Sequence, residues 1–97
     1  MTTLSSIARL RSAMLQMERD LGLSDLSHSE RDVLYAFHNV ASTYGNDEIS
    51  SDAVKQQLRV TGMKHATFHR ALRKLLDLGL VLHAEDSRAK FYKLPSN

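Results

Sequence analysis

The chain has 97 residues, of which 42% are hydrophobic and 25% are charged, and it contains no cysteine. This length gives one small domain with a modest core, and the composition is typical of a soluble globular chain and not of a disordered one. Without cysteine, the chain cannot form a disulfide framework, a thiolate zinc site or a cysteine nucleophile.

The charge is distributed unevenly along the chain. Residues 1–50 carry four Arg and seven acidic residues, net −3, whereas residues 51–97 carry nine Lys or Arg and four acidic residues, net +5. Between Arg59 and Lys74 there are five cationic residues and no acidic one. The C-terminal half is therefore expected to attract a polyanion.

The N-terminal segment, residues 4–21, predicts an amphipathic helix. Its apolar residues recur at intervals of three and four, at Ile7, Leu10, Met14, Met17 and Leu21. Two heptads are too few to specify an isolated coiled coil, so two interpretations stay open. The helix either packs on its own domain or joins two copies of the chain, with these five residues at the dimer interface. We expect residues 1–25 to form this segment and residues 26–97 to form the domain that follows.

Charged residues interrupt the apolar positions of this first segment, so it is not expected to be a signal peptide. No later segment is apolar over the length needed to span a membrane. We therefore expect a cytoplasmic protein without a membrane partner.

The middle of the chain predicts two helices separated by a turn. Ser27 and Glu30 have the spacing of a capping box, so a second helix should begin near His28 and end at Gly45. Ile49 allows at most a very short strand. Ser50 or Ser51 should then cap a short helix over about 52–59.

A turn containing Gly62 precedes a helix over about 64–78. Phe68, Leu72 and Leu75 share one face of this helix, and Arg70, Arg73 and Lys74 lie on or near the opposite face. Gly79 ends the helix. Two β-prone runs, residues 80–85 and 90–94, then predict a hairpin with Arg88 at its tip and Lys90 beside it.

A short helix, a glycine-containing turn, a basic helix and a hairpin together predict a helix-turn-helix with a wing. Residues 28–94, about two thirds of the chain, resemble a bacterial winged helix-turn-helix domain of the MarR type. The matching residues include Thr61-Gly62-Met63, Thr67-Phe68, Arg70, Leu72, Leu75, Gly79-Leu80-Val81 and Asp86-Ser87-Arg88. The expected fold is mostly α with a small β-hairpin: a three-helix core plus a wing, preceded by an N-terminal amphipathic helix.

The resemblance implies sequence-specific binding of double-stranded DNA by a transcriptional regulator. Helix 64–78 would enter the major groove, and the wing, residues 83–92, would contact the minor groove or the backbone. The DNA-binding residues implied are Lys64, His65, Ala66, Thr67, His69 and Arg70 toward the groove, Arg73 and Lys74 near phosphates, and Arg88 and Lys90 on the wing.

The chain departs from that family in two places. Lys64 stands where the family usually has a Ser or Thr helix cap. The chain also lacks the long C-terminal helix that pairs subunits in that family. Dimerisation into a homodimer would therefore depend on residues 4–21.

Other functions have weaker support from the residues. Arg70, Arg73 and Lys74 could be a solvated helix face, and a winged helix could serve as a protein-interaction module without base readout. His65 and His69 have helical spacing, but no Glu follows His65, so no metal site is expected. Neither a paired-carboxylate nor a phosphate-loop signature occurs, so we expect no enzyme and no cofactor. The sequence specifies no operator and no small-molecule effector.

Overall fold

Four α-helices and a small antiparallel sheet make up the computed structural model, which describes residues 3–44, 48–84 and 90–95. The helices in these ranges are α1 (Thr3–Asp20), α2 (His28–Tyr44), α3 (Ser51–Leu58) and α4 (His65–Asp77). The strands are β1 (Ile49–Ser50), β2 (Leu82–His83) and β3 (Phe91–Lys93). The predicted class, mostly α with a small β element, is confirmed.

Helix α2 begins at the predicted capping box. The Ser27 backbone N–H donates to Glu30 Oε1 at 2.9 Å, and the Glu30 N–H donates to Ser27 Oγ at 3.1 Å. This reciprocal pair satisfies two amides that the first helical turn leaves free. The predicted stop at Gly45 lies outside the described residues.

The core is built around α2, which contacts α3, α4 and β1. Val33 and Phe37 of α2 are completely buried, as are Val54 of α3 and Leu75 of α4. The Phe37 ring meets the Tyr92 ring edge-on, with centroids 5.8 Å apart, so the sheet is packed on the same core. Helix α2 therefore forms the centre of the core.

Helices α3 and α4 are joined by a tight turn. The Asp52 N–H donates to Ser50 Oγ at 3.1 Å, so Ser50 is the cap of α3. A single 3-10 turn, Arg59–Thr61, follows α3, and Gly62 ends it with φ 73°, a left-handed conformation that glycine adopts without strain. After Met63 and Lys64, the chain enters α4.

The sheet is larger than the predicted hairpin. Strands β2 and β3 pair antiparallel as predicted, with Leu82 opposite Lys93. Strand β1 also pairs antiparallel with β3, with Ile49 opposite Tyr92, so β3 is the central strand. The predicted hairpin tip, residues 85–89 with Arg88, lies outside the described residues.

Helix α1 is attached near its C-terminal end. The Tyr35 hydroxyl of α2 donates a hydrogen bond to the buried Glu18 carboxylate. Burial, and then this carboxylate, raise the pKa of Tyr35 to about 12. The five predicted interface residues of α1 remain 46–73% exposed, so the described chain does not cover them. No described helix combines the length and apolar character needed to cross a membrane.

We predict a large difference between truncating two leucines at the end of α4. Leu75 is completely buried, whereas Leu78 is 51% exposed. Leu75→Ala should lower the free energy of unfolding by about 2–5 kcal/mol because it opens a cavity in the core. The matched Leu78→Ala variant should cost less than about 1 kcal/mol. Urea unfolding followed by circular dichroism measures both, and equal losses would contradict the assigned core.

Candidate nucleic-acid interface

Helix α4 has one apolar face and one cationic face. Phe68, Ala71, Leu72 and Leu75 are buried against the core. At 100° per residue, the side opposite this group is occupied by Ala66, Arg70, Arg73 and Asp77, all exposed. The apolar packing therefore determines which side chains of α4 face solvent.

The positive charge on α4 is not neutralised by neighbouring acids. We call Arg70, Arg73 and Lys74 the α4 cationic face; Lys64, at the cap position, lies on the side of Phe68 and Leu75 at 100° per residue. All three side chains are exposed, and within the described ranges none of them lies within 4.0 Å of a carboxylate oxygen. The face therefore presents three positive charges to solvent, with the exposed Asp77 one turn further along the helix.

The structure brings most of the predicted DNA-binding residues onto one accessible surface. Exposed residues along or next to α4 are Lys64, His65, Ala66, His69, Arg70, Arg73 and Lys74. Thr67 is half-buried on the flank of the helix, and Lys90 is exposed at the start of β3. Arg88 lies outside the described residues, so its predicted role at the wing tip is not placed.

The N-terminus of α4 has no side-chain cap. Lys64 occupies the cap position with extended backbone, and its side chain accepts no hydrogen bond from the first turn. The first turn of α4 also contains no acidic residue. By contrast, serines cap α2 and α3. The first amides of α4 thus keep their capacity to bind an anion.

Two histidines lie together near this end of the helix. The ring centroids of His65 and His69 are 4.2 Å apart, and the His69 ring lies 5.4 Å from that of Phe68. Partial burial, then Lys55 and then His65, lower the pKa of His69 below its ordinary value of 6.5. Among the described residues, no third His, Cys, Asp or Glu joins them in a group that could hold a metal ion.

Two cationic residues beside α4, Lys55 and Arg59, were not among the predicted DNA-binding residues. Lys55 of α3 places its Nζ 5.4 Å from the centroid of the Phe68 ring. Lys55, Arg59 and His65 also line a shallow cavity of about 160 Å³. Both cations lie within residues 53–76, a stretch without acidic residues. Their position beside α4 is visible only in the folded chain.

Comparison with known proteins adds no relative to this description. No protein-family model, curated protein or solved structure matches the chain.

We predict that His69 titrates below its ordinary pKa of 6.5 in the folded protein. Its ring signals in NMR spectra should show a midpoint below that value, and Lys55→Gln should raise the midpoint by removing a nearby positive charge. Lys74→Gln, the control on the other flank of α4, should leave it unchanged. As pH falls, His69 is protonated in the unfolded chain before it is protonated in the folded chain. The contribution of His69 to the free energy of unfolding therefore decreases as pH falls through 6.5. A midpoint at or above 6.5 would contradict the assigned environment.

Proposed function

We propose that residues 26–97 form a winged helix that binds double-stranded DNA, with α4 in the major groove, and that the protein regulates transcription in the cytoplasm. The observation that carries this proposal is the α4 cationic face. It is exposed and free of ion pairs within the described ranges, while the opposite side of the same helix is buried. A polyanion is the partner that such a face attracts.

The dimensions of α4 suit a duplex. Its 13 residues give a length of about 20 Å, and a helix with its side chains is about 10–12 Å wide. The major groove of B-DNA is about 12 Å wide and admits one helix. Phe68, Leu72 and Leu75 anchor α4 in the core, so it would enter the groove as a rigid element.

The positions along α4 suggest a division of roles. Residues near the N-terminal end would lie toward the base edges, namely His65, Ala66, Thr67, His69 and Arg70. Arg73 and Lys74 would lie nearer phosphates. The uncapped amides at Lys64 offer a further phosphate contact. Lys55 and Arg59 extend the positive surface toward α3, and Arg88 and Lys90 would act from the wing.

The mechanism would be occupancy of a DNA site. Charge would bring the domain to the duplex, contacts to base edges would select a site, and the bound protein would block or recruit polymerase. Two copies joined through α1 would present two α4 helices to successive major grooves about 34 Å apart.

We predict that duplex affinity depends on the α4 cationic face and on salt. The logarithm of the binding constant should fall linearly with the logarithm of salt concentration, by about 0.9 per phosphate contact. Lys74→Ala should reduce that slope by about one and weaken all sequences alike. Arg9→Ala removes the same charge from an exposed site on α1 and is the matched control. Fluorescence anisotropy with a labelled duplex at several salt concentrations measures these quantities.

Unchanged affinity for duplex in Lys74→Ala and Arg70→Ala at low salt would rule out the nucleic-acid interface. Weak binding to duplex without salt dependence would instead favour a protein-interaction module. Neither substitution should disturb the fold, because both side chains lie outside the core.

We further predict that Arg70 contributes to sequence preference. A selection from random duplexes should return a motif for the wild-type protein, and Arg70→Ala should relax preference at one base pair, at a cost of about 1–3 kcal/mol. Lys74→Ala should return the same motif as the wild type because a phosphate contact carries no sequence information. The absence of any motif for the wild type would refute base readout.

A further inference from the structure

Large exposed apolar side chains are concentrated on α1. Nine large hydrophobic residues in the described ranges are at least 45% exposed, and seven of them belong to α1 or directly follow it. They are the five predicted interface residues together with Leu4 and Leu15. The two others, Val60 and Leu78, lie apart from α1 in the sequence. Large apolar side chains exposed together on one helix mark an interaction site.

This apolar surface borders a groove between α1 and α2. The groove has a volume of about 350 Å³, with Ile7, Met14 and Leu15 on its α1 wall and Arg31 and Tyr35 on its α2 wall. Around α1, the exposed apolar residues span an arc of about 160° at 100° per residue. Such an arc is wider than the seam of a simple two-helix pair. A helix placed in the groove would contact α1 and α2 together.

We propose that a second copy of this chain fills the groove. The α1 helices of two copies would pack antiparallel, each in the groove between α1 and α2 of the other copy. The interface is then a symmetric four-helix arrangement in which both copies use the same surface. This proposal deepens the dimer that forms part of the proposed function, and it does not require DNA binding.

The exposed apolar area matches what a stable dimer needs. Seven large side chains, each 45–78% exposed, together present on the order of 800 Å², which is the area that each partner contributes to a standard protein interface. Aliphatic and methionine side chains dominate this surface, as in helix-to-helix interfaces between identical subunits. The antiparallel pair would cover this area on both copies.

The distribution of charge along α1 favours the antiparallel orientation. The N-terminal part of α1 carries Arg9 and Arg11 without an acidic residue, whereas the C-terminal end carries Glu18 and Asp20 on either side of Arg19. Antiparallel packing with Leu10 level with Leu21 of the other copy brings Arg11 level with Asp20 of that copy. Parallel packing would place Arg9 and Arg11 beside the same two cations, which is unfavourable.

The first test measures the mass of the full-length chain. Light scattering at tens of micromolar should give twice the mass of one chain for the wild type. Met14→Glu places a charge in the groove and should raise the dissociation constant on the order of 100-fold or more, giving one-chain mass. Val60→Glu is the matched control, an acidic substitution at a 91% exposed apolar residue outside the groove, and should stay dimeric. Circular dichroism establishes that each variant is folded.

The second test measures the orientation of the helices in the otherwise wild-type chain. Because the chain contains no cysteine, Met14→Cys and Leu4→Cys each introduce a single thiol. In the antiparallel pair, the two Met14 positions lie near the symmetry axis, whereas the two Leu4 positions are about 25–35 Å apart along the helices. A short bismaleimide should therefore link Met14→Cys into dimers and leave Leu4→Cys unlinked.

Three results would overturn this proposal. They are a one-chain mass for the wild type, a dimeric mass for folded Met14→Glu, and cross-linking of Leu4→Cys as efficient as that of Met14→Cys. The anisotropy measurements determine duplex affinity separately. Loss of duplex binding with a dimeric mass would overturn the proposed function and leave this interface standing.

Discussion

The packing of the apolar face of α4 against α2 is the interaction on which the rest of the molecule depends. With 3.6 residues per turn, burial of Phe68, Leu72 and Leu75 requires that Arg70 and Arg73 project away from the core. The cost of exposing three large apolar side chains is several kcal/mol, far more than the mutual repulsion of screened surface cations. The hydrophobic core therefore maintains a concentration of positive charge that the helix would not maintain alone.

The start of α4 is less stable as a helix end than the starts of α2 and α3, but it is better able to bind an anion. Serines cap α2 and α3, whereas Lys64 at the start of α4 provides no acceptor. An absent cap costs about 1 kcal/mol, and a cation at a helix N-terminus adds an unfavourable interaction with the helix dipole. A phosphate at this position would reverse both effects, because it accepts from the free amides and pairs with the lysine. The helix without a side-chain cap, α4, is thus the helix of the proposed interface.

Local signals in the sequence were sufficient for most of the helices and one strand pair. The capping box at Ser27 and Glu30, the cap at Ser50 and the apolar periodicity of α4 all depend on residues within a few positions of one another. The pairing of β1 with β3 could not be predicted in this way, because a two-residue strand is defined by a partner about 40 residues away. The contact of Glu18 with Tyr35 and the position of Lys55 beside α4 are tertiary in the same sense. Periodicity identified the apolar residues of α1, but it carries no information on what covers them.

The uneven charge of the chain is consistent with two surfaces of different physical character. The N-terminal half, net −3, contains the groove beside α1, and the C-terminal half, net +5, contains the α4 cationic face. Binding at the two surfaces should differ in its dependence on salt. Affinity for phosphates falls as ionic strength rises, because it depends on counterion release, whereas burial of apolar side chains does not depend on that release. The dimer proposed here would consequently persist at salt concentrations that release DNA.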